Sequence, residues 1–252
     1  MATGLRARMQ AGEVLAGTFL KTPAHELVEV LAGTGLDFLC LDAEHAPFDR
    51  ARADAVLAMA RALGLPALMR VPWARPEWVQ FALDAGAVGI VVPHVSDAAT
   101  AAAVARAARF GPGGRGFAGS TRWAGFGGQD MATLLARSAE ETVVVAMIEE
   151  AEGVAAADAI AATDGIDALM LGPADLSVAL GETEKASAAL AAAYDGVGRA
   201  CAAAGKAFAT WVPDAETGAA RHAAGVRMFF AASEHAWMRA GARAAAAALK
   251  AL

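Results

Sequence analysis

Glu149 and Asp175 each close an apolar run, the first after Thr142-Val-Val-Val-Ala-Met-Ile and the second in Leu169-Met-Leu-Gly-Pro-Ala-Asp. A carboxylate placed where a buried strand breaks into a loop loses the cover of water and calls for a cation partner. Two of them on successive strands of a parallel barrel would point into one cavity. They would then form half of a hard divalent-metal site, with waters or substrate oxygens at the other positions. The alternative for each is a helix N-cap, since Glu149 precedes a helical-looking stretch from Glu150 and Asp175 precedes Leu176-Ser177.

The polar residues after the other apolar runs add further chemistry. Asp42 and His45 stand three apart in a turn, a spacing at which a carboxylate can hold an imidazole in one tautomer and raise its basicity, as a general base requires. The competing expectation is a turn in which Asp42 caps backbone and His45 is solvated. Glu44, between them, is expected to face away, toward Arg70 or solvent. Arg70 ends Ala67-Leu-Met-Arg, where its guanidinium fork suits carboxylate or enolate oxygens; a structural pair with a barrel carboxylate is the other reading. The Gly172-Pro173-Ala174-Asp175 turn presents the N–H groups of Ala174 and Asp175 at a helix start, a seat for a substrate carboxylate. Of Lys21, Lys185, Lys206 and Lys250, Lys21 alone follows a strand end, as a Schiff-base lysine must.

Eight short apolar runs must position these groups: 14–20, 37–41, 67–71, 89–92, 143–148, 168–171, 208–212 and 228–231. Helical patterns at 23–32, 52–63, 77–85, 98–110 and 215–224 alternate with them. Strands apolar on both faces and separated by helices signal a covered parallel sheet, and eight such units predict a (β/α)8 TIM barrel. A doubly wound sheet would want a glycine fingerprint after its first strand, which Gly17-Thr-Phe-Leu-Lys lacks. With no linker dividing the chain, residues 1–252 are expected to form a single domain. The long irregular stretch 111–128 is expected to be functional, and the alanine-rich segment 234–252 to be a helix that closes the barrel or docks on a neighbour.

The composition narrows the function. A hydrophobic content of 57% supplies one large core, and a net charge of −6 argues against a nucleic-acid partner. Cys40 and Cys201 are too few and too far apart for a disulfide framework or zinc site. Arg6 and Arg8 precede an apolar segment broken by Gly12, Glu13, Gly17 and Lys21, so neither a signal peptide nor a membrane span is expected, and the protein is read as a soluble cytoplasmic enzyme.

Leu41-Asp-Ala-Glu-His-Ala-Pro47, the Arg70 strand end, Phe81-Ala-Leu-Asp-Ala-Gly-Ala87, Gly113-Gly-Arg-Gly116, Met147-Ile-Glu149 and Leu171-Gly-Pro-Ala-Asp-Leu-Ser177 together resemble the HpcH/HpaI family of metal-dependent class II pyruvate aldolases. The resemblance implies a barrel of the phosphoenolpyruvate/pyruvate kind that reversibly cleaves a 4-hydroxy-2-oxo acid to pyruvate and an aldehyde. It implies Glu149 and Asp175 as ligands of Mg²⁺ or Mn²⁺, with Co²⁺ or Zn²⁺ as the other choices. It implies His45, supported by Asp42, as the base acting through a water on the metal, and Arg70 as the group that neutralises the enolate. Asp84 matches a family carboxylate that reaches the site of an adjacent subunit, in a hexamer built partly by exchange of the C-terminal helix. Arg122 and Trp123 are the expected binders of the acceptor's acidic tail and apolar part. Two positions depart from the family: Met147 where a glutamine is frequent, and His94 where a methionine is common; His94 is expected to be mainly a surface or supporting residue. The alternatives are a citrate-lyase-like or malyl-thioester lyase of the same superfamily, for which Arg106, Arg109 and Arg115 are the nearest approach to a phosphate patch, and a non-catalytic metal-binding barrel.

Overall fold

Eight parallel strands close into a ring in chain order: β1 (Leu15–Leu20), β2 (Phe38–Asp42), β3 (Ala67–Arg70), β4 (Gly89–Val92), β5 (Val143–Ile148), β6 (Ala168–Leu171), β7 (Ala207–Val212) and β8 (Met228–Ser233), with β8 pairing back onto β1. The computed structural model describes residues 4–182 and 187–252. The fold is the (β/α)8 barrel expected from the alternation of patterns, and each strand lies within two residues of its expected bounds. Helices cover the outside, because a parallel crossover must return the chain to the starting edge of the sheet. Asp49, Asp97, Asp130 and Asp214 cap four of these helices by accepting from the N–H three residues on.

The strands are apolar on both faces because each face meets a different core. Phe38 and Cys40 pack inside the ring with Leu68, Val91, Val145 and Phe230. Leu39 and Leu41 pack outside it, against the helix layer, with Val56 and Val79. Inside, the Phe38 and Phe230 rings meet edge-on at 5.0 Å, and Gly17 gives them room, since a Cβ there would lie 2.4 Å from the Phe38 ring.

This two-residue alternation decides which strand-end side chains face the axis. Phe19 points inward, so Lys21 continues that face; Cys40 leads to Asp42, Leu68 to Arg70, and Met147 to Glu149. Pairing then sets the neighbours. Asp42 stands directly beside Arg70 in register, and Ile148 beside Leu171, which brings Glu149 next to Gly172.

The last helix, Glu234–Lys250, is 17 residues long yet only Glu234 is buried on it, and Trp237, Met238 and Leu249 lie exposed. Among the described residues, no helix is long and apolar enough to cross a membrane.

Candidate active site

The inward-facing strand ends surround a cavity of about 310 Å³ at the carboxyl end of the barrel, whose lining includes Lys21, His45, Arg70, Glu149, Gly172 and Asp175. Pro173 and Ala174 also line it, so the expected substrate turn is part of the wall. Met147 forms its apolar floor with Met170.

Asp42 is fully buried and holds Arg70 through two bonds, Nε to Oδ1 at 3.0 Å and Nη2 to Oδ2 at 2.8 Å. Lys21 Nζ stands 3.2 Å from Oδ2. Burial alone would push the Asp42 carboxyl up, but the bonds and charge of Arg70, joined by the His45 N–H and Lys21, outweigh it and hold the carboxyl below its ordinary range. The expected support of the His45 imidazole by Asp42 is therefore corrected. Asp42 accepts from the backbone N–H of His45 at 3.1 Å, while the nearest carboxylate to the imidazole is Glu44, with Nε2 to Oε2 at 3.7 Å. The reason is register: Arg70 is the residue beside Asp42 on the same inward face, so its fork takes the carboxylate.

A pH test follows from this pair. Because the folded-state pKa of Asp42 lies below its unfolded value, the contribution of the pair is complete above about pH 4 and is lost as pH falls through the depressed folded value. Asp42→Asn should therefore cost about 3 kcal/mol near neutrality, with the penalty shrinking in acid as the wild type protonates. Denaturant unfolding of both proteins across that range measures it; a penalty independent of pH would contradict the pairing.

Glu149 is buried, with Oε1 accepting from the N–H of His94 at 2.8 Å. Burial pushes its carboxyl up; the His94 N–H and ring charge oppose this, and the negative Asp175 and Glu44 add to it. Neither Glu149 nor Asp175 is a helix cap: Glu150 and Gly172 occupy the cap positions of the two following helices. A Cβ at residue 172 would stand 3.0 Å from Glu149 Oε2, so glycine keeps the space beside that oxygen open. Two mutually repelling carboxylates beside an open space fit a divalent cation. Among the described residues there is no group of three His, Cys, Asp or Glu side chains placed to hold an ion. The other positions would therefore fall to water and substrate oxygens, the pattern of a hard ion rather than a closed structural site.

His94 and Glu44 lie closer to this centre than their sequence context indicated. His94 Nδ1 lies 3.0 Å from Glu150 and 3.3 Å from Glu149, its Nε2 lies 3.6 Å from Glu44, and its ring stacks on Trp73 at 4.8 Å. Its φ of +55° is a conformation few residues adopt outside glycine, and here it aims the N–H at Glu149. Glu44 does face Arg70, as one of its expected directions, at 3.4 Å from Nη1. The D-x-E-H spacing was the available signal for Glu44; for His94 it was the first polar residue after β4.

Three expected site residues lie elsewhere. Arg122 binds Asp54 at 2.7 Å, and Trp123 is buried beneath Arg137, whose guanidinium lies 4.2 Å from its ring centre. Trp123 lines a second cavity with Ala67, Val88 and Thr142, residues at the amino ends of β3, β4 and β5, opposite the mouth. The helix Ala98–Ala107 has by then carried the chain back to that end, so the 111–128 stretch cannot cover the mouth of its own barrel. Asp84, in the last turn of the helix Pro76–Ala85, pairs with Arg115 and also stands apart from the cavity.

The comparisons with known proteins agree with this architecture. The HpcH/HpaI aldolase/citrate lyase profile matches residues 15–236. A hydroxypyruvate/pyruvate aldolase of Paraburkholderia phytofirmans is 32% identical over 242 residues, covering 93% of this chain and 92% of that protein. A 4-hydroxy-2-oxovalerate aldolase of Novosphingobium aromaticivorans is 36% identical over 183 residues, 70% of this chain and 67% of its own. The crystal structure of an HpcH/HpaI aldolase/citrate lyase family protein from Burkholderia cenocepacia superposes with a TM-score of 0.92 at 33% identity, covering 98% of each chain.

Proposed function

Because this chain belongs to the HpcH/HpaI aldolase/citrate lyase family and is an aldolase, we propose that it cleaves a 4-hydroxy-2-oxo acid reversibly to pyruvate and an aldehyde through a pyruvate enolate held at the cavity. The observation that carries this reading is the meeting of Glu149, Asp175, Arg70 and His45 on one cavity wall. Glu149 and Asp175 would hold a divalent cation, Mg²⁺ or Mn²⁺ before Co²⁺ or Zn²⁺ because both donors are hard carboxylates. When bound, that ion supplies Lewis-acid polarisation of the keto group.

The chain's own residues do the rest. His45, half exposed at the rim, takes the proton of the C4 hydroxyl. The C3–C4 bond breaks, the aldehyde carbonyl forms, and the electron pair moves to the C2 oxygen of the enolate. Arg70 faces that oxygen with its charge, braced from behind by Asp42 so that it need not reorganise. Return of the proton to C3 gives pyruvate.

Asp84 would serve the cavity of a neighbouring subunit; its carboxylate is partly exposed, pairs with buried Arg115 and does not line the cavity of its own chain. A homo-oligomer of the family's hexameric kind, with exchanged C-terminal helices around single-domain barrels, is supported by the helix Glu234–Lys250 that covers so little of its own chain. A cytoplasmic setting suits the two free cysteines, both buried. A thioester-dependent lyase is the weaker reading, since Arg109 and Arg115 are engaged by Asp167 and Asp84 away from the cavity.

A pyruvate-release assay over a panel of 4-hydroxy-2-oxo acids, with and without chelator, tests substrate and ion together. Turnover should fall at least a hundredfold, roughly, on chelation and return with Mg²⁺ or Mn²⁺. Borohydride with pyruvate should leave no adduct on Lys21; a trapped adduct there would replace the enolate scheme with a Schiff base.

A further inference from the structure

We infer that Lys21 selects an aldehyde acceptor that carries a carboxylate. This rests on the aldolase reading above and adds to it the class of the second substrate.

Lys21 is a cation on the cavity wall that Asp42 does not require. Asp42 Oδ1 already accepts from Arg70 Nε and the His45 N–H, and Oδ2 accepts from Arg70 Nη2. The Lys21 ion pair, at 3.2 Å from an oxygen already bonded, engages at most one of its three N–H donors. Its side chain is 32% exposed, while Asp42 is wholly covered, so the ammonium is the part of this pair that a ligand can reach.

Its base is rigid. The N–H groups of Lys21 and Thr22 both donate to Oε1 of buried Glu234, at 2.9 and 2.6 Å, tying β1 to the start of the last helix. The direction is also suitable. In the closed ring β5, which bears Glu149, lies diametrically across from β1. Lys21, with Phe19, Trp211 and Ser233, lines the part of the cavity away from Glu149, so an acceptor lying there beside a keto acid seated at Glu149 and Asp175 would meet its ammonium. Arg122, the cation expected for an acidic tail, is engaged by Asp54 and does not line this cavity. Among the described residues lining the cavity the lysine and arginine are Lys21 and Arg70, and with Arg70 held by Asp42 to face the enolate, Lys21 is the cation left for an acceptor; a charge-assisted bond to a carboxylate in a partly dehydrated site discriminates strongly.

The test compares acceptors matched in carbon count, glyoxylate against acetaldehyde and succinic semialdehyde against butanal, in condensation with pyruvate. The readout is the ratio of kcat/KM between acid and neutral members within each protein, so a general loss of activity cancels. The wild type should prefer the acid member in at least one pair. Lys21→Met should reduce that ratio roughly thirtyfold, and Lys21→Arg should recover most of it. Absence of an acid preference in the wild type, or equal losses on both members in Lys21→Met, overturns the inference. Deuterium exchange at C3 of pyruvate without any acceptor, measured on the wild type, separates the two levels. Exchange without acceptor discrimination sinks the role of Lys21 alone, and no exchange sinks the pyruvate-enolate scheme with it.

Discussion

Glu149→Gln is expected to reduce kcat/KM for retro-aldol cleavage about a thousandfold while leaving the metal-free fold at least as stable as the wild type. The two effects have one electrostatic origin. The Glu149 carboxyl is raised by burial and by the negative Asp175 and Glu44, so its folded-state pKa exceeds the unfolded one, and the charged form costs stability above the folded value. Glutamine keeps an oxygen to accept the His94 N–H and removes the charge. The same charge would hold the dication, so titration with Mn²⁺ should show affinity lost in the variant. His45→Ala provides the contrast. It removes a proton carrier at the rim, so turnover should fall about a hundredfold with pyruvate affinity nearly unchanged. Denaturant unfolding with metal absent, Mn²⁺ binding and steady-state kinetics check the set; equal and mild effects of both substitutions would mean that the base and the ligand have been misassigned.

Arg70→Ala should be the most damaging single change to stability in the site. It strands Asp42, fully buried, with only the Lys21 ammonium and the His45 N–H as partners. Removing one member of a buried pair costs about 3–5 kcal/mol, which for a chain of this size lowers Tm on the order of 10 °C. It also removes the charge facing the enolate oxygen, for a further loss of about a hundredfold or more in kcat/KM. Arg70→Lys separates the two contributions. Lysine restores a charge but not the two-bond fork to Asp42, so stability should recover in part while turnover remains low. A thermal scan and kcat/KM on the two variants measure this, and an Arg70→Ala protein with wild-type Tm would refute the account of the pair.

Much of this site could be read along the chain because strand-end chemistry in a barrel follows from a period of two. Alternation carries the inward face from Met147 to Glu149, from Leu68 to Arg70 and from Cys40 to Asp42, and apolar runs on both faces predict the ring and its helical cover. Periodicity is a property of one strand, however, and contacts between strands depend on register and closure. That is why the partner of Asp42 is Arg70, its neighbour across the sheet, and not the imidazole three residues on. It is also why His94, at the end of β4, meets Glu149 at the end of β5. The loop bearing Arg122 and Trp123 was recognisable as long and unusual, but the end of the barrel it occupies is set by the direction in which the preceding helix returns the chain. Residue identity and alternation therefore determine which groups face the axis and what chemistry they carry. Which of them touch was decided only when the ring closed, because hydrogen bonds and ion pairs act over a few ångströms and the sequence separations they span here, 28 residues for Asp42 with Arg70 and 55 for His94 with Glu149, leave no local trace.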